Sequence, residues 1–220
     1  MGDLLGPPGW PAYLDDPASG VSLRPYRRTD AAAWARIRTL NEEWLSRWEP
    51  TPPRGSWAHL NSIAAFKVVY RELRRTARVG TAMPFAICLR GRDGAEQLVG
   101  QVTLGNIVRR AFGSAYAGYW IDQAAAGHGV VPTALALAVD HAFAAGGLHR
   151  IEVNIRPENT ASRRVVEKLG FREEAYHRRY LHIDGDWRDH IGYALTAEEV
   201  AADGGLLARW HRQRGIRQSA

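Results

Sequence analysis

Tyr119-Trp120-Ile121-Asp122-Gln123-Ala124-Ala125-Ala126-Gly127-His128-Gly129-Val130-Val131-Pro132 reads as a strand that ends, a loop of small residues and a helix that begins. Pro132 marks where the helix starts, because proline is tolerated only in a first turn, where N–H groups lack helical acceptors in any case. The start is therefore predicted near Gly127 to Gly129. The free N–H groups there, and the positive end of the helix dipole, point into a loop whose glycines and alanines let an anion reach the backbone. No Asp or Glu lies between Asp122 and Asp140, so no carboxylate of this segment can fill the place; an external phosphate or diphosphate is the natural ligand. Taken alone, Gly-x-Gly also suits a turn that merely links strand to helix. The stretch lacks the third glycine of a dinucleotide fingerprint and the Gly-Lys-Ser/Thr of a Walker loop.

Working outward, Arg150-Ile151-Glu152-Val153-Asn154-Ile155 alternates, with Ile151, Val153 and Ile155 on one face and Glu152, Asn154 and Arg156 on the other. Arg156-Pro157-Glu158-Asn159 leads into a helix over Thr160 to Leu169 that Gly170 terminates. Phe171 to Ile183 and Trp187 to Leu195 form a predicted hairpin around Asp184-Gly185. A final helix starts at the cap Thr196, with Glu198 and Glu199 in its first turn, and ends in a basic tail. Upstream, Val21 to Tyr26 is β-like, Thr29-Asp30 offers a helix cap, and Trp34, Ile37, Leu40, Trp44, Leu45 and Trp48 are spaced for one helix over Ala31 to about Arg47. Trp48-Glu49-Pro50-Thr51-Pro52-Pro53 breaks it, and Ser56 is expected to restart a helix with Leu60, Ile63, Phe66, Tyr70 and Leu73 on its apolar face. Strands follow at Phe85 to Leu89, Gln97 to Ile107 and Ala115 to Ile121, with a helix from Val130 to Ala145. Residues 1–20, rich in proline and glycine, read as an irregular arm pinned by Trp10 and Tyr13. The order predicts one mixed α/β domain over 21–197, followed by a C-terminal helix and basic tail over 198–220.

The composition bounds the rest. The 220 residues are 45% hydrophobic and 24% charged, a globular balance. The single Cys88 excludes an internal disulfide and a multi-cysteine metal cluster, and points to a reducing compartment. No apolar run approaches the length of a membrane span, and the start carries no basic-then-apolar signal, so a cytoplasmic protein without a membrane partner is expected. Lys67 and Lys168 are the only lysines among 29 basic residues, set against 23 acidic ones, for a net charge of +6. Such arginine usage reflects codon bias or a surface that meets an anionic partner. His177, His182 and His190 lie on paired strands without the spacing of metal ligands, so no metal is expected. No Gly-x-Ser-x-Gly or Cys–His arrangement supports a hydrolase.

The strand–Gly-x-Gly–helix unit together with Asn159-x-x-Ser162…Glu167-Lys168-Leu169-Gly170-Phe171 resembles the GNAT superfamily of acetyl-CoA-dependent N-acetyltransferases. Within it, Arg156-Pro157-Glu158-Asn159-x-x-Ser162 and Arg178-Arg179-Tyr180-Leu181…Trp187-Arg188-Asp189-His190 are similar to the RimJ/RimL-type branch, which acetylates amino termini of ribosomal proteins. The likeness runs from about Val21 to Leu195. It implies a twisted mixed sheet with helices on both faces, splayed between the strands ending near Ile121 and Ile155. It also implies acetyl-CoA as cosubstrate, with the diphosphate on Ala126, Gly127, His128, Gly129, Val130 and Val131. Ala126 and Val131 depart from the usual Gln/Arg-x-x-Gly-x-Gly/Ala.

By the same resemblance, the backbone of Trp120, Ile121 and Asp122 would flank the pantetheine arm, Asn159 would hold it from the other side, and Arg163 or Arg164 would meet a phosphate. Glu152 is the candidate base, its alternative being a structural ion pair with an arginine. Ser162 is the candidate proton donor to the thiolate, its alternative a helix cap. Many relatives place a tyrosine four residues after that serine, where this chain has Val166. Trp44, Trp48, Glu49, Tyr180, Asp189 and His190 are candidate acceptor-groove residues, with Glu49 meeting a substrate ammonium. The expected acceptor is the N-terminal amine of a ribosomal protein, with ribosome contact and no DNA partner. Two alternatives stay open: the same chemistry on a small amine, such as an antibiotic or polyamine, and a non-catalytic RNA-associated protein using Arg209, Arg212, Arg214 and Arg217.

Overall fold

The computed structural model describes residues 7–51, 61–91 and 94–215. Its strands are β1 (Leu14–Asp16), β2 (Val21–Pro25), β3 (Met83–Arg90), β4 (Glu96–Val108), β5 (Ser114–Ile121), β6 (Arg150–Ile155), β7 (Arg172–Ile183) and β8 (Asp186–Thr196). The helices are α1 (Ala31–Leu40), α2 (Glu42–Ser46), α3 (Ile63–Arg78), α4 (Val130–Ala144), α5 (Thr160–Leu169), α6 (Ala197–Ala201) and α7 (Leu206–Arg214). One sheet runs in the order β1-β2-β3-β4-β5-β6-β8-β7.

Neighbouring strands are antiparallel except β5 and β6. That parallel pair is joined only over Ser114–Arg150, Ala115–Ile151 and Tyr116–Glu152. Beyond Tyr116 and Glu152 the two strands part, and the sheet opens into the splay that the resemblance implies. A parallel connection needs a crossover, and α4 supplies it.

Both faces of the sheet are covered, which explains why β3 is apolar throughout rather than alternating. Phe85 and Ile87 enter one core with α4, α5 and α7, while Ala86 and Cys88 enter a second with Trp34, Ile37 and Phe66. The helix α4 is buried almost all round, from Val130 to Ala142, as its alanine-rich sequence allows.

Four sequence expectations change. Asn41 splits the helix expected over Ala31 to Arg47 into α1 and α2: its Nδ2 donates to Ile37 O (2.8 Å) and Asp122 Oδ1 (3.1 Å), and its Oδ1 accepts from Gln123 N (2.9 Å). An asparagine that engages the backbone elsewhere competes with the helical ladder. Thr29-Asp30 is not a simple cap, since Asp30 closes a short 3-10 turn over Arg28–Asp30 and accepts from Arg27 N and Arg24. The arm is not wholly irregular: Leu14–Asp16 pairs with β2, and Trp10 packs edge-on against Phe85. The C-terminal helix is two helices, because Gly204 and Gly205 (φ +75° and +114°) end the run that the Thr196–Glu199 capping box begins. Ser56 and Leu60 lie outside the described residues; α3 starts at Ile63, with Ser62 Oγ accepting from Ala65 N.

That break at Gly204-Gly205 turns α7 back onto α4 and fixes it there. Asp140 on α4 caps it, Oδ1 accepting from Leu206 N (2.6 Å) and Oδ2 from Leu207 N (2.9 Å). Trp210 Nε1 donates to Thr133 Oγ1 (3.0 Å), and buried His211 meets buried Asp16 of β1 at 2.9 Å. Among the described residues no helix is long and apolar enough to cross a membrane.

Candidate active site

Where β5 and β6 part, a cavity of about 970 Å³ opens between the start of α4, the start of α5, the end of α7 and the α2 segment. Its α4 end is the Gly-x-Gly loop. Gly127 and Gly129 have φ of +81° and +84°, left-handed conformations that side chains resist. The first bond of α4 is Thr133 N to Gly129 O, so the amides just before Thr133 are not used by the helix. A Cβ on Gly127 would meet open space, whereas one on Gly129 would stand 2.6 Å from Arg214 Nη1. Ala126, Gly127, Gly129, Val130 and Val131 line the cavity; His128 is exposed and does not.

At the other end, Asn159 Oδ1 caps α5 by accepting from Ser162 N (3.1 Å). Asparagine is thus the cap, and Ser162 Oγ is free for another partner. That partner is Tyr119 Oη, at 2.6 Å. Burial pushes the Tyr119 phenol well above its ordinary range, so it stays neutral. The helix tyrosine of the family pattern is absent, Val166 being fully buried, but a phenol reaches the same serine from β5. Trp120 and Ile121 line the cavity. Asp122 does not: its N–H donates to Val99 O (2.7 Å) and its carboxylate caps the Gln123–Ala125 turn.

The other candidates separate. Arg164 lines the cavity, whereas Arg163 turns away to Tyr193 Oη (3.1 Å). Trp44, Trp48 and Glu49 line it, but both Glu49 oxygens are held by Arg38, whose guanidinium lies between Trp34 and Trp120 at 5.5 and 5.6 Å from their ring centroids. Glu49 is therefore not a vacant ammonium site. Trp48 carries the Arg156 guanidinium 5.3 Å from its ring centre.

Glu152 stands at the fork where β5–β6 pairing ends, on the sheet face away from α5. It accepts from Arg150 Nε at 2.8 Å, the ion pair that was the alternative to a base. Arg150 also binds Glu174, whose carboxyl is drawn down to about 2 by Arg150 and Arg172. Tyr116, pushed up by burial and by the Glu152 charge, completes this patch with Tyr180. Tyr180 Oη accepts from Asn154 Nδ2 (3.2 Å), and its ring stacks on His177 and leans on His190. Burial lowers the His190 pKa. Asp189 lies apart, bracing the hairpin by accepting from Tyr176 Oη and Arg179 N, both at 2.8 Å, which pull its carboxyl down.

A splayed β5–β6 pair with the Gly-x-Gly loop on one side and Ser162 on the other is the arrangement that the resemblance implies, and Tyr119 is an addition to it. The family described as Acetyltransferase (GNAT) domain matches residues 21–172. The chain belongs to the GNAT acetyltransferase family. Among its GNAT relatives, the [Ribosomal protein uS5]-alanine N-acetyltransferase of Escherichia coli is 32% identical over 178 residues, covering 77% of this chain and 85% of that one. The Bacillus subtilis protein YjcK is 43% identical over 100 residues, which span 46% of this chain and 55% of that one. Among solved structures, Mycobacterium smegmatis RimJ in complex with CoA-disulfide is 42% identical, with a TM-score of 0.86 over 97% of this chain and 100% of that one.

Sequence reasoning about this GNAT chain missed Tyr119, Trp210 and Gln213, which line the cavity, gave cavity-lining Arg214 only to an RNA surface, and missed Arg38, which holds Glu49. Strand parity could have found Tyr119, since it shares the face of Ala115, Ala117 and Ile121. Nothing local announces the others.

Proposed function

We propose that this GNAT enzyme moves an acetyl group from acetyl-CoA to the N-terminal α-amine of a ribosomal protein in the cytoplasm. The observation that carries the reading is one continuous cavity with the amide cradle at Gly127–Val131 and the Ser162–Tyr119 hydroxyl pair at its two ends. The names of the relatives support it: one is a [Ribosomal protein uS5]-alanine N-acetyltransferase, and the RimJ structure is a complex with CoA-disulfide.

Bound acetyl-CoA supplies an activated thioester. The residues of this chain would then divide the work. The loop amides take the diphosphate, and Trp120 and Ile121 border the arm. As the C–N bond forms and the C–S bond breaks, Ser162 Oγ–H would give its proton to the departing thiolate and regain one, through water, from the proton that the amine releases. Tyr119 Oη, 2.6 Å from Ser162 Oγ, would donate to that oxygen and so leave the serine proton free for the cavity. Cys88 is fully buried in the opposite core and its thiol is pushed up to about 11 by burial, so it offers no acyl-enzyme route.

The demand for a base is small. An α-amine of pKa about 7.7–8.0 is roughly 10–20% neutral at pH 7, a penalty of about 1–1.4 kcal/mol, against about 4.6 for a lysine near 10.4. Glu152 in its ion pair with Arg150 would serve through water rather than by direct contact. The carboxylates that a polyamine pocket would need are committed elsewhere: Glu49 to Arg38, Glu152 to Arg150, Asp189 to Tyr176 and Arg179. The RNA-surface alternative weakens likewise, since Arg209 and Arg212 pair with Asp203 and Arg214 faces the cavity; Arg217 lies outside the described residues.

A thiol-release assay with acetyl-CoA tests the acceptor. A peptide with a ribosomal-protein N-terminus is expected to release CoA when its α-amine is free and to release none when that amine is blocked, even with a lysine present. Release with a polyamine and none with the peptide would replace this acceptor by a small amine.

A further inference from the structure

The basic residues of this chain are not spread evenly. The helix α3 carries five cations, Lys67, Arg71, Arg74, Arg75 and Arg78, and a single carboxylate, Glu72, which pairs with Arg75. Arginines without a carboxylate partner are common in this protein; alignment sets those of α3 apart. Lys67, Arg71, Arg74 and Arg78 follow one another at i, i+4, i+7 and i+11, which keeps them within roughly 60° of arc along about 16 Å of helix. All four are exposed, while Phe66 on the opposite face is buried against Tyr26 and Trp34. The result is a solvent-facing ridge of one sign.

Towards the C-terminal end of α3 this ridge borders a second cavity, of about 340 Å³, between the helix and the N-terminal arm. That size falls in the roughly 300–1,000 Å³ of small-molecule clefts. Arg74 and Arg78 stand on its rim, and Trp10, Tyr13, Tyr26 and four prolines supply most of the other walls. None of the lining residues is acidic. Trp10 is fixed edge-on against Phe85, whereas Tyr13 is 69% exposed and presents its ring to solvent. The Arg74 guanidinium lies 5.7 Å from the centre of the Tyr70 ring.

A ridge of cations calls for a polyanion, and the aromatic cavity beside it selects which one. The carboxylates of an acidic peptide would meet the ridge and make no use of the cavity. A single-stranded polynucleotide offers both a phosphate and a flat base at every step, and single strands are held by aromatic rings beside a cationic track. A duplex keeps its bases stacked inside and could use the ridge alone.

We propose that α3 and the N-terminal arm form a docking surface for single-stranded RNA, the ridge following its backbone and one base entering the cavity beside Tyr13. The surface belongs to the layer that covers the sheet face of Glu152, away from the cofactor cavity between α4 and α5. RNA, rather than another polynucleotide, follows from the ribosomal acceptor proposed above, and only that choice rests on it.

Fluorescence anisotropy of a labelled oligouridylate of about ten nucleotides, titrated with the full chain over a range of salt concentrations, tests this without acetyl-CoA or turnover. Four phosphate contacts at about −0.7 each predict a slope of log K against log salt of about −3. Arg74→Gln and Arg78→Gln are each expected to make that slope shallower by about 0.7. Tyr13→Ala is expected to lower affinity about 5-fold or more at an unchanged slope, because it removes a stacking ring and no charge. Arg178→Gln combined with Arg179→Gln, on the exposed strand β7 at the other end of the sheet, should alter neither quantity. Slopes that fell as much in the β7 variant as in the α3 variants would reduce the binding to overall charge and overturn the surface. An unchanged affinity in Tyr13→Ala would likewise overturn it, as would a glutamate oligomer of the same length bound as tightly as the RNA. Absence of RNA binding at low salt would overturn it too, and, with no acetyl donor in the assay, would leave the acetyl-transfer reading untouched.

Discussion

Ser162→Ala is expected to lower kcat by about 100-fold or more while acetyl-CoA affinity changes by less than about 3-fold, because a positioned proton donor contributes roughly 10²–10⁴ to the rate and little to ground-state binding. The structure separates the two roles. Ser162 binds Asn159 through its backbone N–H, which alanine retains, so α5 keeps its cap; only the Oγ contact to Tyr119 is lost. Tyr119→Phe should then show a smaller loss of kcat, about 10-fold, since the serine keeps its proton but not its orientation. Steady-state kinetics beside calorimetry with acetyl-CoA measures both. An equal loss of turnover and affinity in Ser162→Ala would make the hydroxyl pair a piece of packing rather than a proton donor.

Gly129→Asp is expected to weaken CoA binding by at least about 100-fold. The position has φ of +84°, and a Cβ there would stand 2.6 Å from Arg214 Nη1. An aspartate would place a carboxylate at the start of α4, where it satisfies the free amides and pairs with Arg214, filling the anion site from within. Gly129→Ala is the control, because it brings the left-handed strain of about 1–2 kcal/mol without the charge. The gap in affinity between the two variants isolates electrostatics from geometry. If alanine and aspartate weakened binding alike, steric room and not an anion cradle would be the property of this loop.

The strands and helices that carry the site were legible because their signals are local. Pro132 and the two glycines mark the start of α4, and the alternation in Arg150–Ile155 and the Asn159-x-x-Ser162 turn mark β6 and α5. What escaped was set by distant contacts. Asn41 gives up a helical conformation for bonds to Asp122 and Gln123, more than 80 positions away, and no periodicity around Asn41 records that. Arg38 reaches Glu49 only because that break redirects the chain. The part played by α7 depends on Asp140, Thr133 and Asp16, none of which neighbours it in sequence. Glu152 shows the converse limit. Its strand face was correctly read, but an arginine two residues away on the same face decides what its carboxylate does.

Mass spectrometry of ribosomal proteins from cells with and without this gene bears most directly on the proposed reaction. Acetylation of one or a few amino termini should vanish on deletion, return with the unmodified gene and fail to return with Ser162→Ala. Amino termini that carry the same acetyl groups in both strains would contradict the acceptor assigned here.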